Sequence, residues 1–228
     1  MIISERMWMN LSVEMKVLAN HDEWLANRMN GIGGSEISAV VGCNPYMTNV
    51  DLWELKTGRR KAEDISEKPY VKYGNQAEMY LRGLFRLDFP ELKVEYIENN
   101  SFRNEKYPWA LASMDGWLTD PEGRKGVLEI KTSEVLSSQH REKWKGDHVP
   151  MNYYCQTIFY MAVLEADFAC IKAQLKTIFD GIPYLQTKHY FIEKVDVLDD
   201  INYLMTEGEK FWQCVKNDIC PPLRLPEI

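Results

Sequence analysis

What this chain lacks narrows its chemistry first. It has no apolar run long enough to cross a bilayer, and its amino terminus lacks the basic, apolar, small-residue succession of a secretory leader. The cytoplasm is therefore the expected compartment, with no membrane contact. Histidine is sparse: His21, His140, His148 and His189 share no ligand spacing and read as structural or surface residues. Cys43, Cys155, Cys170, Cys214 and Cys220 are odd in number and form no C-x-x-C pair. That pattern speaks against disulfides, zinc ligands or an iron–sulfur cage, and for reduced, mostly buried thiols. No internal repeat or low-complexity linker divides the sequence, so residues 1–228 are expected to fold as a single domain whose core needs no covalent staples. An excess of positive charge is also missing. The formal net charge of −7 argues against a protein that coats nucleic acid nonspecifically. It still allows action on phosphate at a confined site, because metal-binding carboxylates carry negative charge and a bound divalent ion inverts the local sign.

The most informative stretch runs from Ala112 to Ser133. Ala112-Ser113-Met114-Asp115-Gly116-Trp117-Leu118 is followed, after a turn, by Val127-Leu128-Glu129-Ile130-Lys131-Thr132-Ser133. On adjacent strands Asp115 and Glu129 can converge on one metal ion, and the period of two in a strand sets Lys131 on the face of Glu129. Hard oxygen ligands beside a lysine suit Mg²⁺ or Mn²⁺ acting on phosphate. The bland reading of a Glu-x-Lys is a solvated strand face. Here Val127, Leu128 and Ile130 make the strand apolar on both sides, as in a central strand, where an acid and a lysine are expensive unless paired or metal-bound. A metal-dependent nuclease is the immediate implication.

The remaining pattern is α/β. Apolar spacing predicts helices over Glu5–Leu18, from a cap at Asp22 to Arg28, over Ser35–Val41, from a cap at Thr48 or Asn49 to Leu55, and over Tyr73–Phe89. Arg59 to Lys68 reads as a charged loop. Three consecutive strands are expected at Val94–Phe102, Ala110–Leu118 and Lys125–Thr132, then a helix opened by Pro150, strands at Phe168–Leu175 and His189–Val195, and a closing helix over Asp199–Val215. Trp8, Trp53, Trp109, Trp144 and Trp212 read as packing anchors.

Five features stand in a telling order: Arg28 with Gly31-Ile32-Gly33-Gly34-Ser35-Glu36; Tyr73-Gly74-Asn75-Gln76-Ala77-Glu78; Ser113-Met114-Asp115-Gly116; Glu129-Ile130-Lys131; and Tyr153-Tyr154-Cys155-Gln156. Together they resemble the YqaJ-type viral recombinases and lambda exonuclease, within the PD-(D/E)xK nuclease superfamily. The resemblance implies a restriction-endonuclease-like core, a central mixed β-sheet flanked by helices with a helical N-terminal region. It implies a 5′-to-3′ exonuclease on linear double-stranded DNA, releasing 5′-mononucleotides and leaving a 3′ overhang for recombination by strand annealing. Asp115, Glu129, the Ile130 carbonyl and Glu78 would hold Mg²⁺, with Mn²⁺ able to substitute, and Lys131 would position the attacking water. Gln156 would bond a phosphate or hold Lys131. The second glutamine of the lambda-type pattern is replaced by Ile158. Arg28, Ser35 and Ser113 would take a terminal 5′-phosphate; the plain alternative is a Gly-rich helix cap with Ser35 as the capping hydroxyl. Also implied are a ring-shaped homotrimer, a single-strand annealing partner, and a phage or prophage protein acting in a bacterial host. Two other functions stay open: a structure-specific or restriction-like endonuclease, and a catalytically dead DNA-end-binding module.

Overall fold

A computed structural model describes residues 12–226. It opens with strand β1 (Val13–Val17), helix α1 (His21–Arg28), strand β2 (Ile32–Gly33) and helices α2 (Gly34–Val40), α3 (Asn49–Lys56) and α4 (Pro69–Asp88). Strands β3 (Lys93–Glu95), β4 (Asn100–Asn104), β5 (Tyr107–Ala112), β6 (Gly116–Thr119) and β7 (Lys125–Glu134) follow. Helices α5 (Ser138–Glu142) and α6 (Met151–Leu164), strands β8 (Phe168–Phe179) and β9 (Ile182–Glu193), a 3₁₀ turn (Lys194–Val197) and helix α7 (Leu198–Lys216) complete it.

The expected mixed α/β class holds, but the strands form two sheets: a four-stranded one ordered β1-β4-β5-β2 and a five-stranded one ordered β3-β6-β7-β8-β9. Two expected strands are therefore each cut in two. Val94–Phe102 divides between β3 of the larger sheet and β4 of the smaller, and Ala110–Leu118 divides between β5 and β6. Asn99 turns the first break with φ +53°, in the left-handed region that asparagine tolerates. Asn100 secures the second: its Nδ2 donates to the Met114 carbonyl and its Oδ1 accepts from Met114 N, each at 3.0 Å.

The expected first helix is also corrected. Residues 5–11 lie outside the described part, and Val13–Val17 is a strand, antiparallel to β4 from Val13↔Asn104 to Val17↔Asn100. Alternating Val-Glu-Met-Lys-Val satisfies a period of two as well as a helical one, and an open β4 edge decides between them. Asn20, rather than Asp22, caps α1, accepting from Glu23 N at 2.9 Å. Thr48 caps α3 reciprocally with Asp51. Helix α4 starts at Pro69, four residues before the expected Tyr73, because proline suits a first turn.

Strand β7 is central, antiparallel to β6 and parallel to β8, with α5 and α6 in the crossover. Leu128 and Ile130 pack into a cluster with Leu81 and Phe85 of α4, while Val127 joins a larger cluster with Ile158 and Phe159 of α6. Full burial of such side chains contributes about 1.5–3 kcal/mol each. The alternation that turns Leu128 and Ile130 to α4 turns Glu129 and Lys131 to α6. From Cys155 to Leu164 every residue of α6 is buried, so Gln156 enters the core side of the sheet. Helix α2 packs closely on α6 because Gly34 has no side chain: a Cβ there would lie 2.2 Å from Tyr160 Cε1. Of the tryptophans expected as anchors, Trp53, Trp109 and Trp144 are buried, Trp212 packs partly buried against the main cluster, and Trp8 lies outside the described residues. Among the described residues no helix is long and apolar enough to cross a membrane.

Candidate active site

The break between β5 and β6 leaves Asp115 just ahead of Gly116, whose register partner is Leu128, so Asp115 arrives beside Glu129. Asp115 Oδ2 accepts from Ile130 N at 2.7 Å, fixing the carboxylate on β7. Lys131 Nζ lies 2.5 Å from Glu129 Oε1, and Gln156 Nε2 donates to the same oxygen at 2.7 Å. Of the two expected partners, a phosphate or Lys131, Gln156 does not hold Lys131: it bonds Glu129 instead, because α6 presents it over the acid. Tyr160 accepts from Gln156 at 3.2 Å, which fixes the amide in turn. Glu129 is 2% exposed, and its second oxygen, Oε2, is buried with no hydrogen-bond partner among the described residues.

Glu78 approaches from α4 and pairs with buried Arg82 one turn on, and Arg82 Nε donates to the Asp115 carbonyl at 2.5 Å. Arg82 therefore ties the α4 carboxylate to the backbone at Asp115. Among the described residues no three His, Cys, Asp or Glu side chains are already gathered as a metal cage. The available donors are instead the paired carboxylates of Asp115, in the break before β6, and Glu129 of β7, with Glu78 paired to Arg82.

These groups strain one another electrostatically. Burial first, then neighbouring Asp115, push Glu129 up to about 8 against the pull of Lys131. Burial and Asp115 push Glu78 up to about 7, opposed by Arg82 and Lys131. Burial also raises Asp115, opposed by Lys131, the Ile130 N–H and Arg82. Burial disfavours the Lys131 charge, but Glu129 and Asp115 outweigh it and hold the ammonium above the usual lysine range. A carboxyl whose folded pKa exceeds its unfolded value binds an extra proton in the native state. Its stabilising contribution is complete below the unfolded value near 4.5 and is lost as pH rises through about 7–8. In chelator, the melting temperature is thus expected to fall between pH 5.5 and 9, at up to roughly 1.4 kcal/mol per pH unit for each extra proton. Glu129→Gln should flatten that slope; an unchanged slope by calorimetry would remove Glu129 as its source.

A second cluster lies next to the first. Arg28 Nη2 donates to Ser35 Oγ at 2.8 Å, and its guanidinium stands 4.9 Å from the Trp24 ring. Trp24 Nε1 donates to Ser113 Oγ at 3.2 Å, which brings Ser113 to the same cavity. Helix α2 has no side-chain cap, since Gly33 occupies the cap position, so Ser35 is not the capping hydroxyl. Instead Gly33 N donates to Glu36 Oε2 at 2.7 Å.

Every residue singled out from sequence, namely Arg28, Ser35, Glu78, Ser113, Asp115, Glu129, Ile130, Lys131 and Gln156, lines one cleft of about 910 Å³. Residues 23–167 match the family model of the YqaJ-like viral recombinase domain. The chain belongs to that family. YqaJ of Bacillus subtilis (strain 168), itself described as an uncharacterized protein, is 30% identical over 194 residues, covering 85% of this chain and 56% of that protein. This YqaJ-family chain therefore spans a little over half the length of that relative. Its fold is similar to LHK-Exo, an alkaline exonuclease from Laribacter hongkongensis solved in complex with dAMP, with TM-score 0.64 and 18% identity over 86% of this chain and 93% of that one. It is also similar to a phage-related exonuclease from Haemophilus somnus 129PT, with TM-score 0.54 and 14% identity over 82% of this chain and 96% of that one.

Sequence reasoning missed several residues of this cleft. His21, set aside as structural or surface, stacks on Trp24 with ring centroids 5.4 Å apart and lines the cleft. Arg82 carried a readable signal, an i,i+4 pair with Glu78 on one helix face. Trp24 carried a similar one, standing i,i+4 from Arg28 and i,i+3 from His21 on α1, whereas its bond to Ser113 is made only by the fold.

Proposed function

We propose that this YqaJ-family chain is a Mg²⁺-dependent 5′-to-3′ exonuclease on linear double-stranded DNA, releasing 5′-mononucleotides and leaving a 3′ overhang for strand annealing. The observation that carries the reading is the meeting, in one cleft, of Asp115, Glu129 and Lys131 with the Arg28–Ser35–Ser113 cluster. The donor set suits a hard divalent ion: oxygen ligands, with Glu129 Oε2 buried and without a hydrogen-bond partner among the described residues. Asp115, Glu129, Glu78 and the Ile130 carbonyl would hold Mg²⁺ or, in its place, Mn²⁺. Once bound, such an ion lowers the pKa of water and polarises a phosphoryl oxygen.

The chain's own groups do the rest. Gln156 and Lys131 both engage Glu129 Oε1, which orients the carboxylate with its other oxygen unpaired. Lys131 stays an ammonium, so it serves as a fixed positive charge and donor toward the scissile phosphate and the nucleophile, not as a base. Arg28 supplies a charge-assisted donor to the terminal 5′-phosphate, with Ser35 and Ser113 as neutral partners. A homotrimer ring around the duplex, an annealing protein as partner, and action within a bacterial host as a phage or prophage product complete the proposal.

The deciding experiment digests a linear duplex labelled at one 5′ end, with and without Mg²⁺ and with and without a 5′-phosphate. Loss of label as mononucleotide, dependent on Mg²⁺ and sparing covalently closed DNA, is expected. Cutting of closed circles would move the endonuclease reading ahead, and tight end binding without cleavage would favour the dead module. A further expectation concerns Arg28→Ala. A lost charge-assisted hydrogen bond is about 1.5–3 kcal/mol, so sustained digestion should slow about ten- to hundred-fold rather than stop. Rates on 5′-phosphoryl and 5′-hydroxyl ends should differ for the unaltered protein and converge in the variant.

A further inference from the structure

Behind Arg28 lie two charged side chains to which the reaction so far gives no work. Lys56, in the last turn of α3, has a side chain only 1% exposed. Its ammonium sits 2.8 Å from Glu36 Oε2 and donates to the Arg28 carbonyl at 2.7 Å, where α1 ends. Glu36 Oε1 lies 3.2 Å from Arg28 Nη2. The three side chains thus form a chain of charges, Lys56–Glu36–Arg28, with Arg28 at the end that bonds Ser35.

A buried lysine is expensive, and a buried ion pair is by itself weak grounds for stability. The sum of charges gives Lys56 a function. Lys56 and Arg28 are each +1 and Glu36 is −1, so the cluster presents a net +1 toward the cavity of Ser35 and Ser113. Without Lys56, Glu36 and Arg28 would neutralise each other, and the guanidinium would be committed to a carboxylate. The Lys56–Arg28 carbonyl bond adds a cation at the C-terminal end of α1, holding the backbone from which Arg28 projects.

We propose that Lys56 is a positioning residue for recognition of a terminal phosphomonoester: it neutralises Glu36 from behind and so leaves the Arg28 charge available to the incoming dianion. This deepens, and rests on, the phosphate-pocket reading of Arg28. No covalent step is involved.

The test is equilibrium binding in chelator, so that no turnover intervenes, of fluorescent duplexes ending in 5′-phosphate or 5′-hydroxyl. The ratio of the two affinities is read for the unaltered protein, Arg28→Ala, Lys56→Met, and the double variant Lys56→Met/Glu36→Gln. Lys56→Met should cut the phosphate preference roughly tenfold, in the range of one charge-assisted contact. The double variant should regain most of it, since an uncharged amide in place of the Glu36 carboxylate no longer claims Arg28 and the cluster returns to +1. A purely structural ion pair predicts the opposite, no recovery on removing its second half. If Arg28→Ala abolishes the preference while Lys56→Met retains it, the Lys56 role is overturned and the pocket stands. If Lys56→Met loses the preference and the double variant does not regain it, the role is also overturned. If the unaltered protein shows no preference at all, the pocket reading itself fails and this inference with it. Should Lys56→Met not fold, the double variant decides alone: a preference retained there but lost in Arg28→Ala supports charge balance, and a lost one overturns it.

Discussion

Asp115→Asn and Glu129→Gln should each lower metal-dependent hydrolysis by about 10³-fold or more, because a metal site supplies several kcal/mol of transition-state stabilisation at roughly 1.4 kcal/mol per tenfold. The amides are preferable to alanine for a reason visible in the structure. Asp115 Oδ2 accepts from Ile130 N, and Glu129 Oε1 accepts from both Lys131 and Gln156. Alanine would leave a buried backbone donor or a buried ammonium unpaired, at about 1–3 kcal/mol or more. An isosteric amide keeps one acceptor oxygen and removes the charge, with an NH2 donor where the second oxygen stood. Because burial raises both carboxyls and Asp115 further raises Glu129, the amides should keep or increase the melting temperature of the metal-free protein above pH 8. The measurement pairs initial cleavage rates with calorimetry in chelator. Turnover near that of the unaltered protein by either purified variant would remove the metal-site assignment, whereas a melting temperature lowered by many degrees would show the carboxylates to be structural.

Which residues gather in the cleft was more legible in the sequence than the path of the chain that brings them there. Glu129 and Lys131 share a face because a strand has period two, and the apolar neighbours Val127, Leu128 and Ile130 announced a central strand. The helix beginning near Ser35 was equally plain, but residues 31–34 are not the exposed turn their glycines suggest: they are buried, with Ile32–Gly33 paired to β5 as strand β2 and Gly34 packed against Tyr160. What could not be read was where strands break between sheets. Residues 96–99 and 113–115 carry no proline or glycine, and the second break is held by Asn100, whose bonds to Met114 span fourteen residues. That break sets Asp115 beside Glu129, so the motif was visible while the device that aims it was not. Gln156 was placed correctly on α6, but its bond to Glu129 was not among the contacts read from sequence, since helix phase against a strand is fixed only by packing. The sequence assigns no role to Glu36 or Lys56. Their burial follows from α2 and α3 converging on the end of α1, a long-range fact that no local pattern encodes.

Lys131→Ala should reduce cleavage about 10²–10³-fold, the effect of deleting one preorganised donor aimed at developing charge. Its side chain is mostly buried, its ammonium lies 2.5 Å from Glu129 Oε1 and 5.1 Å from the Tyr153 ring, and the two acids keep it protonated. Two consequences separate this electrostatic role from others. Lysine held above its usual range is no base at neutral pH, so the cleavage rate should not show a rise with pH that disappears in Lys131→Ala. Divalent-ion affinity should also survive, because the ammonium competes with an ion for Glu129 rather than helping to bind it. Calorimetric titration with Ca²⁺, a hard oxygen-seeking ion of the same charge, should give dissociation constants for Lys131→Ala within about tenfold of the unaltered protein, a difference of no more than roughly 1.4 kcal/mol. Lys131→Arg should recover little activity, since a planar guanidinium cannot take the place of a compact ammonium wedged between Glu129 and Tyr153. Affinity that collapses in Lys131→Ala while cleavage persists would reverse the assignment and make Lys131 a structural counter-charge for the paired acids.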